Sequence, residues 1–414
     1  PSEAMVVVGV TGTKGKSSTI FMLAKILEEA GLKIAVSSSL MFKIKENEWL
    51  NPSHMTMAGR FRLQEFLAQA KQAGCTHALI ETTSEGIKQH RHRFINFDAA
   101  VITNLSPEHI EAHRGFENYK RAKGRLFEAL AGARRKVIGG KRVEKISVLN
   151  MDDEHAEYFA QFAADRKYGF GTKGVCKLTP HENATCVLAG DLRADVSGVG
   201  FSVEGVSFAL RLLGAFNVHN ALAAAVAAKA LGVDFKVARE ALKKIEEIPG
   251  RMKFITEGQK FTAIVDLAHT PGSFEAVFQG VLPLKQSHGR IIAVFGSAGG
   301  GRDTWKRPEL GKIAAQHADV IVLTNEDPYD EDPDAILSAI AQGVRATGFQ
   351  GKLEIVPDRR KAIRTAVDAA RWNDTVLFLG KGTEQTMVFG GTSVPWNEES
   401  VVIEEIRNML YDKR

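Results

Sequence analysis

The sequence predicts an α/β protein built from two domains. Short apolar runs typical of buried strands alternate with segments of helical periodicity along most of the chain. Strands that alternate with helices favour a mostly parallel sheet with helices on both faces. The 414 residues also allow two or three domains, at roughly 150 residues each.

The first half supplies the elements of one such domain. Val6–Val10 is an apolar run that predicts a buried strand, and Ser17–Ala30 carries apolar residues at helical spacing. Further strands are predicted at Ile34–Val36, Ala78–Ile80, Ala99–Thr103 and Val148–Asn150, and further helices at Arg62–Ala73, Tyr119–Ala129 and Glu154–Ala164.

Residues 174–213 have a different pattern. Three β-rich runs, Thr185–Leu188, Gly200–Val203 and Val206–Leu212, are separated by Gly, Asp and Asn. This predicts a small antiparallel meander attached to the first sheet. Helices are predicted next at Val218–Leu231 and Lys236–Glu247.

The second half repeats the α/β alternation after a break at Ile248-Pro249-Gly250. We therefore expect domains of residues 1–248 and 249–414, the second of them smaller and Rossmann-like. Its predicted strands are Ala263–Asp266, Ile291–Phe295, Val320–Thr324, Leu353–Val356 and Thr375–Leu379, with helices such as Ala335–Val344 and Arg359–Ala370.

Composition excludes several classes of protein. Hydrophobic residues make up 44% and charged residues 25%, as in an ordinary globular protein. The net charge of +5 is small, which favours an enzyme of anionic substrates over a nucleic-acid binder. No apolar run approaches the ~18 residues that span a bilayer, and the N-terminus lacks the pattern of a signal peptide. We expect neither a nucleic-acid nor a membrane partner.

The cysteines point to a reducing compartment. Cys75, Cys176 and Cys186 are odd in number, and no two of them form a CxxC pair. Neither a disulfide framework nor a cysteine-zinc site is therefore expected, and the cytoplasm is the natural location.

The strongest local signal is a phosphate loop at VVVGVTGTKGKSS, where an apolar strand runs into a glycine-rich turn and a helix. Gly12 and Gly15 allow close approach of the backbone to a phosphate, which the helix N-terminus attracts. Lys16 can reach the β- and γ-phosphates, and the Ser17 hydroxyl can ligate Mg²⁺. Val10 replaces the first glycine of GxxxxGK[ST], so the match is to a variant. The candidate nucleotide contacts are Thr11, Gly12, Thr13, Lys14, Gly15, Lys16, Ser17 and Ser18.

TGTKGKSS resembles the ATP loop of the Mur ligases, the ATP-dependent amide-forming ligases of cell-wall precursor synthesis. Segments with the same resemblance follow in order along the chain, and the DLAHTP and PGRM elements are most similar to the MurE type. They are ETTSEGIKQHR, TNLSPEHIEAH, YKRAK, NMDD, GAFNVHNALAA, PGRM, DLAHTP, SAGGGRDTWKRP, NEDPYDEDP and GKGTE.

The resemblance implies an activity. A ligase of this type joins an amino acid, the third residue of the stem peptide, to UDP-MurNAc-L-Ala-D-Glu through an acyl phosphate. It implies ATP and two Mg²⁺ ions as cofactors, small-molecule substrates, a cytoplasmic location and a monomer.

The resemblance also implies the metal-site residues Ser17, Glu81 and His109. Glu81 follows the apolar run Ala78–Ile80, so it lies at the carboxyl end of a strand, where ligands of α/β sheets bind. The resemblance further places a carbamylated lysine at Lys123. A carbamate is an anion that can ligate Mg²⁺, whereas the local pattern alone favours a solvated lysine.

Further roles follow from the resemblance. Asn217 and His219 are expected to contact the adenine and phosphates, Arg251 the γ-phosphate after domain closure, and Asp266 the ribose. The expected catalytic residues are Lys16, Lys123, Arg251 and His269, with His269 also among the nucleotide contacts. The expected substrate contacts are Thr56 on the sugar side, Ser84 and Arg91, and, for the incoming amino acid, Asp327, Tyr329, Gly380 and Glu384.

The acceptor loop favours a cationic amino acid. The diaminopimelate-adding pattern is Asp-Asn-Pro-Arg, whose Arg binds the distal carboxylate of the substrate. Tyr329 stands at the position of that Arg, and Asp330, Glu331 and Asp332 add negative charge. We therefore expect L-lysine or another amino acid that is not diaminopimelate.

The sequence departs from the family pattern in places. Glu85 and Thr383 replace histidines of two family motifs. The MurE type carries a further, UDP-holding domain before the ATP loop, which here begins at Thr11. Either the chain was trimmed or it is a natural short form. In the second case the acceptor lacks UDP or a partner supplies the surface.

Other functions remain open at this point. A folylpolyglutamate-synthase-like ligase performs the same chemistry on another acid, but its motif is Ala-His-Asn-Pro. An amidotransferase-partner subunit would carry a cysteine-rich zinc insert. A non-catalytic nucleotide-binding protein would have no need of the intact Lys16, Glu81 and Lys123. A P-loop GTPase would need an Asn-Lys-x-Asp motif, which the sequence lacks.

Overall fold

The structure, a computed structural model, describes residues 1–51, 55–108, 110–176, 178 and 183–412. The chain forms two compact units, Pro1–Glu246 and Glu247–Arg414. No helix in this described part of the chain is both long and apolar enough to cross a membrane.

The first unit contains a large sheet and helices that cover it. A short 3-10 helix, Ser2–Ala4, precedes the first strand. The strands are β1 (Val6–Thr11), β2 (Ile34–Ser37), β3 (Met41–Ile44), β4 (Asn47–Leu50), β5 (His77–Glu81), β6 (Ala99–Ile102), β7 (Val137–Ile138), β8 (Lys141–Arg142), β9 (Ile146–Asn150), β10 (Arg166–Gly171), β11 (Ala184–Leu188), β12 (Gly190–Asp195), β13 (Gly198–Val203) and β14 (Val206–Leu210). The helices are α1 (Lys16–Glu29), α2 (Arg60–Gln72), α3 (Ser84–Lys88), α4 (Ile110–His113), α5 (Phe116–Gly132), α6 (Ala156–Ala160), α7 (Phe216–Ala230) and α8 (Phe235–Lys243).

The large sheet of the first unit has the strand order β11-β10-β9-β6-β1-β5-β2-β3-β4. All neighbours from β11 to β2 run parallel, and the hairpin β2–β3–β4 adds two antiparallel pairs at one edge. The central strands are apolar and buried on both faces, as expected where helices cover a parallel sheet. This confirms the predicted α/β class. Because β1, β5 and β2 are neighbours, the loops that follow them meet at one edge.

A buried charge cluster holds the opposite, amino edge of this sheet. Asp98, which immediately precedes β6, forms ion pairs with Lys136 and, at 2.9 Å, with Lys145. Asp98 also accepts a hydrogen bond from the backbone N–H of Val7, at 2.9 Å. Both lysines donate further bonds to backbone carbonyls, among them that of Met5 at 2.9 Å from Lys136. The cluster therefore ties together the beginnings of β1, β6 and β9.

The meander differs from the prediction in one strand. β12, β13 and β14 form a separate three-stranded antiparallel sheet. The run Thr185–Leu188, predicted to belong to it, instead lies in β11, which pairs parallel with β10 at the edge of the large sheet. A short β-rich run fits either kind of edge, so the pattern of residues alone did not identify its partner.

The cysteine prediction was wrong for one pair. Cys176 and Cys186 form a disulfide, with Cα atoms 6.1 Å apart, while Cys75 is free and buried. Cys186 lies on β11 opposite Gly169 of β10, and Cys176 belongs to the connection between these two strands. The pairing depends on the path of that connection, which the spacing of the cysteines does not reveal.

The second unit has a six-stranded sheet with the order β15-β16-β20-β17-β18-β19, parallel except for the β15–β16 pair. Its strands are β15 (Lys253–Ile255), β16 (Thr262–Asp266), β17 (Ile291–Phe295), β18 (Val320–Leu323), β19 (Lys352–Ile355) and β20 (Thr375–Leu379), followed by a hairpin of β21 (Thr386–Phe389) and β22 (Thr392–Pro395). Its helices are α9 (Pro271–Val281), α10 (Lys306–His317), α11 (Pro333–Ala346), α12 (Arg359–Ala369) and α13 (Glu398–Asp412), with a 3-10 helix at Leu282–Leu284. The parallel sheet with covering helices agrees with the predicted Rossmann-like domain.

Candidate active site

The phosphate loop connects β1 to α1, with Gly15 at the N-cap of the helix. Gly12 has φ +151° and Gly15 has φ +78°, backbone conformations that side-chain-bearing residues rarely adopt. A Cβ on Gly12 would lie 1.9 Å from Oγ1 of Thr103, and one on Gly15 would lie 2.2 Å from Oδ1 of Asn220. Both positions therefore require glycine.

The segment Thr103–Ser106 buttresses this loop. The backbone N–H groups of Thr13 and Lys14 donate to the carbonyl and the side-chain oxygen of Asn104, at 2.8 and 2.9 Å. Thr103 donates to the carbonyl of Lys14 at 2.6 Å. The loop is thus held from one side, while the first turn of α1 offers backbone N–H groups that the helix itself does not bond. Such groups favour an anion.

The polar side chains of the loop are largely buried. Thr11, Thr13, Ser17 and Ser18 are all buried. Lys16 donates to the carbonyl of Thr13 at 2.9 Å. Burial lowers the pKa of Lys14, partly offset by the nearby charge of Glu108. The amino groups of Lys14 and Lys16 therefore belong to the loop at the N-terminus of α1, where a phosphate would bind.

Glu81, the last residue of β5, lies next to Ser17. The Ser17 hydroxyl is 2.9 Å from Oε1 of Glu81 and 2.7 Å from the hydroxyl of Ser39. Ser39 also approaches the other oxygen, Oε2, with its backbone N–H at 2.8 Å and its hydroxyl at 3.0 Å. The predicted residues Ser17 and Glu81 thus meet, whereas Ser39 was missed. His109 lies outside the described residues.

Lys123 is fully buried on α5, contrary to the solvated lysine that its local pattern favours. Its Nζ donates to the carbonyl of Gly12 at 2.7 Å and lies 4.6 Å from the centre of the Tyr119 ring. Burial lowers the pKa of Lys123 well below its usual value, and the charge of Lys16 lowers it further. Lys123 therefore lies beside the phosphate loop with its pKa lowered, which favours the neutral, nucleophilic form of the amine.

The beginning of α7 contacts the phosphate loop through Asn220, which was not predicted as a site residue. Asn220, whose Oδ1 faces Gly15, donates from Nδ2 to Oδ1 of Asn217 at 3.0 Å. His219 is 3.0 Å from the carboxylate of Asp152. Burial would raise the pKa of Asp152, but hydrogen bonds from Thr172 and His219 lower it instead. The second asparagine of FNVHN, not the first, approaches the loop, and the repeated Asn in that motif was the available signal.

Of the other substrate contacts predicted in the first unit, Ser84 begins α3, Arg91 follows α3 and Thr56 precedes α2. Arg91 donates to the carbonyl of Met57, which directly follows the half-buried Thr56, and to the side chain of Gln89 at 3.0 Å. Ser84 is buried at the start of α3, with its hydroxyl 3.1 Å from Nε2 of His113. Arg91 and Thr56 are therefore brought together, and Ser84 belongs to a buried polar contact.

In the second unit, three predicted nucleotide contacts lie around the carboxyl end of β16. Nε of Arg251 is buried and has no hydrogen-bond partner among the described residues. Asp266 accepts backbone N–H bonds from Met252 at 2.8 Å and Ala268 at 2.6 Å, and burial raises the pKa of this carboxyl. Nδ1 of His269 is 2.7 Å from the carbonyl of Leu267, and because a carbonyl oxygen only accepts, Nδ1 carries a proton in this contact.

The acidic loop after β18 is held by a lysine that the sequence did not single out. Nζ of Lys381, fully buried, lies 2.9 Å from Oδ2 of Asp327 and 2.6 Å from Oε2 of Glu384. Tyr329 has φ +54°, and its backbone bonds Val388 and Gly390 of the β21–β22 hairpin. Three of the four predicted amino-acid contacts are thus joined through Lys381 or the hairpin.

Gly380 brings a further carboxyl into this group. A Cβ at Gly380 would lie 2.5 Å from Oε2 of Glu326, a buried oxygen without a hydrogen-bond partner in the described part of the chain. Burial raises the pKa of Glu326, while Lys306 and Lys381 act to lower it. Glu331 instead forms an ion pair with Arg307 at 2.6 Å. Of the three carboxylates in the predicted acidic surplus, Glu331 is therefore paired within the protein, and beside Gly380 the described carboxyl of Glu326 retains an unsatisfied oxygen.

Comparison with known proteins decides the family. The chain matches the model of the Mur ligase middle domain over residues 10–228 and that of the Mur ligase glutamate ligase domain over residues 250–382. The chain belongs to the Mur ligase family. A UDP-N-acetylmuramyl-tripeptide synthetase of Roseiflexus sp. (strain RS-1) is 42% identical to it, over 99% of this chain and 80% of the relative.

Other Mur ligases differ in the amino acid that their names give. A UDP-N-acetylmuramoyl-L-alanyl-D-glutamate–2,6-diaminopimelate ligase of Syntrophomonas wolfei is 33% identical over 99% of this chain and 80% of its own length. A solved structure of a ligase with the same name superposes with a TM-score of 0.63 at 28% identity, covering 99% of this chain and 79% of that one. The folylpolyglutamate synthase of Mycobacterium tuberculosis shares the fold, with a TM-score of 0.66 at 16% identity over 99% of this chain and 91% of its own.

Mur ligases are ATP-dependent ligases of peptidoglycan biosynthesis, and Mg²⁺ is typical of them. The cluster of Ser17, Ser39 and Glu81 fits Mg²⁺, because hydroxyl and carboxylate oxygens are the ligand types that this ion takes. Among the described residues, no group of three or more His, Cys, Asp or Glu side chains is arranged to hold a metal.

Proposed function

We propose that this Mur ligase joins an amino acid to UDP-MurNAc-L-Ala-D-Glu, or to a related cell-wall precursor, with hydrolysis of ATP to ADP and phosphate. The observation that carries the proposal is the phosphate loop with Glu81 against Ser17 and the buried Lys123 against Gly12. It occurs in a chain that is 42% identical to a tripeptide synthetase over nearly its full length.

The reaction has two steps. The acceptor carboxylate takes the γ-phosphoryl group of ATP and becomes an acyl phosphate, and ADP leaves. The amino acid's amine then attacks the acyl carbon, phosphate departs, and the amine proton is lost to a base. Bound Mg²⁺ would neutralise the charge that develops on the phosphoryl oxygens. Lys16 and the N-terminus of α1 hold the phosphates, and Ser17 and Glu81 hold the metal.

We further propose that Lys123 is carbamylated and that the site takes two Mg²⁺ ions. A buried amine whose pKa is lowered loses its proton more readily, and the neutral amine can attack CO₂, giving a carbamate and releasing a proton. The resulting anion would then lie beside the phosphate loop, next to the charge of Lys16. His109 is proposed as a further ligand on the strength of its family motif alone.

The remaining predicted contacts keep their roles as proposals. Asn217, His219, Arg251, Asp266 and His269 would contact the nucleotide, with Lys16, Lys123, Arg251 and His269 serving the chemistry. For Asp266, whose two oxygens already accept backbone N–H bonds, a ribose contact would use remaining lone pairs. Thr56, Ser84 and Arg91 would face the acceptor. We also propose that the enzyme acts as a monomer in the cytoplasm, where ATP and UDP-linked precursors are found.

For the amino acid, we propose a cationic side chain such as that of lysine. The support is the buried, unpartnered Oε2 of Glu326 beside Gly380, together with Tyr329 at the position of the arginine of the diaminopimelate pattern. A buried carboxylate oxygen without a partner is costly, and an ammonium group would satisfy it. Asp327, Gly380 and Glu384 would surround the same substrate.

A phosphate-release assay tests the proposal. The enzyme, ATP and Mg²⁺ are incubated with UDP-MurNAc-L-Ala-D-Glu and either L-lysine or meso-diaminopimelate, and products are identified by mass. Release with a tripeptide product establishes the ligase and names its amino acid. Preferential use of diaminopimelate would contradict the cationic assignment, and ATP binding without turnover of any pair would contradict the acceptor.

A further inference from the structure

The side chain of Ser38 closes the turn between β2 and β3, and Ser39 is the next residue in that turn. The Ser38 hydroxyl accepts hydrogen bonds from the backbone N–H groups of Leu40 and Met41, at 3.2 and 3.1 Å, and the Ser38 N–H donates to the carbonyl of Met41 at 3.0 Å. These bonds close a tight turn without glycine. Ser39 is the half-buried residue at the exposed side of that turn.

Sheet topology directs this turn to Glu81. β2 pairs parallel with β5, and Ser37 at the end of β2 lies opposite Ile80, the residue before Glu81. Two residues further on, Ser39 therefore reaches the carboxyl end of β5. No sequence motif marks this position, because the contact depends on which strands are neighbours.

The two oxygens of the Glu81 carboxylate have different partners: Oε2 faces Ser39 and Oε1 faces Ser17. Oε2 lies 2.8 Å from the N–H of Ser39 and 3.0 Å from its hydroxyl, whereas Oε1 lies 2.9 Å from the hydroxyl of Ser17. The two hydroxyls are 2.7 Å apart. When the Ser17 hydroxyl donates to Oε1, the Ser39 hydroxyl donates to Oε2 together with the Ser39 N–H, so Oε2 has two donors from one residue. Oε1 is left on the side of Ser17.

We propose that Ser39 is a positioning residue that holds Glu81 as a one-oxygen metal ligand and thereby makes the ATP site select Mg²⁺ over Ca²⁺. Mg²⁺ requires near-ideal octahedral geometry and few carboxylate oxygens, whereas Ca²⁺ accepts six to eight ligands and bidentate carboxylates. A carboxylate whose second oxygen is engaged by Ser39 suits the smaller ion. This inference rests on the proposed function, because it takes the Ser17–Glu81 pair as the metal site of ATP binding.

The experiment measures ATP affinity by isothermal titration calorimetry with Mg²⁺, with Ca²⁺ and with EDTA. Ser39→Ala removes the hydroxyl and keeps the backbone N–H, and Ser39→Thr keeps both. Ser37→Ala is the matched control, because the Ser37 hydroxyl is buried without a partner in the described part of the chain. Thermal unfolding of each variant verifies that it folds.

The expected result is a fall of roughly 10-fold or more in the Mg²⁺-to-Ca²⁺ affinity ratio of Ser39→Ala, the size seen when a ligand loses its supporting partner. ATP binding in EDTA stays unchanged, and Ser39→Thr and Ser37→Ala keep the wild-type ratio. An unchanged ratio in Ser39→Ala, or an equal loss with both metals and with EDTA, would overturn the inference. If the ATP affinity of the wild-type enzyme did not depend on the metal, the proposed metal site itself would be overturned.

Discussion

Oδ1 of Asn220, on α7, lies where a methyl group on Gly15 would have to go, 2.2 Å from the ideal Cβ position. Asn220, in the helix that begins with FNVHN, thus packs against Gly15, the N-cap of α1 at which the phosphate-binding turn starts. The contact connects two segments that are far apart in sequence, and it makes the shape of the loop depend on α7.

Gly15→Ala is expected to weaken ATP binding by at least 10-fold, because alanine meets both a left-handed backbone and the Asn220 side chain. Gly31→Ala is the matched control: Gly31 has φ +77° but nothing within 4 Å of its Cβ position. Both variants should lose about 1 kcal/mol of stability from the backbone alone. Calorimetric titration with ATP distinguishes them, and equal affinities in the two variants would contradict the role of Asn220.

Lys123→Met is expected to stabilise the protein at pH 7. The folded-state pKa of Lys123 lies below the usual value of 10.5, so between these two values the unfolded state binds more protons, and wild-type stability rises with pH. Methionine removes that penalty. The gain in melting temperature should therefore shrink as the pH rises toward 10.5 and be absent above it, measured in CO₂-free buffer. Lys120→Met, on the same helix, should show no such pH-dependent gain.

Carbamylation can be observed directly at the same residue. With ¹³C-bicarbonate, wild-type enzyme should show a carbamate carbon signal that is absent from Lys123→Met. A wild-type spectrum without that signal, in enzyme that is fully active, would remove the proposed metal ligand.

Glu326→Gln is expected to raise the KM for lysine by at least 10-fold while leaving the KM for ATP unchanged. The substitution keeps the size of the side chain but removes the charge that would pair with the substrate ammonium group. Steady-state kinetics with each substrate varied in turn provides the measurement. A similar rise in both KM values would indicate a general loss of structure in the second unit.

Tyr329→Arg is expected to shift the preference toward meso-diaminopimelate. A guanidinium group at this position can bind a distal carboxylate with two parallel hydrogen bonds. The ratio of kcat/KM for diaminopimelate to that for lysine should rise by at least 10-fold. Tyr329→Lys, which adds the charge without the planar pair of donors, is the comparison, and an equal effect in both variants would reduce the argument to charge alone.

Sequence reasoning succeeded where a residue follows a recognisable strand or motif. Glu81 comes directly after an apolar run, and Ser17 begins a helix after a glycine-rich turn, so the order of strands and helices was sufficient to place both. Ser39, Asn220 and Lys381 were missed because their roles arise from which strands are neighbours and from which helix packs on the loop. Those relationships form only in three dimensions.

The same limit explains why the strand partner of one β-rich run, the pairing of two cysteines and the net charge of the acidic loop were predicted incorrectly. Thr185–Leu188 was given the wrong partner strand, and Cys176 and Cys186 pair through a connection whose path the sequence does not encode locally. Charge counting in NEDPYDEDP added Asp330, Glu331 and Asp332, but Arg307 neutralises Glu331. A run of acidic residues predicts an acidic surface only when no buried cation reaches it.

The cluster of Asp98 with Lys136 and Lys145 fastens one edge of the large sheet, while the phosphate loop and Glu81 lie at the other. Substitutions at the two edges should therefore affect a cell differently, one through the abundance of the enzyme and the other through its turnover. Loss of Asp98 would leave two buried ammonium groups without their counter-ion and reduce how much folded enzyme accumulates, since marginal destabilisation is converted into lower abundance. Loss of Glu81 would leave abundance intact and reduce turnover per molecule. A measurement of growth alone would not distinguish the loss of Asp98 from the loss of Glu81.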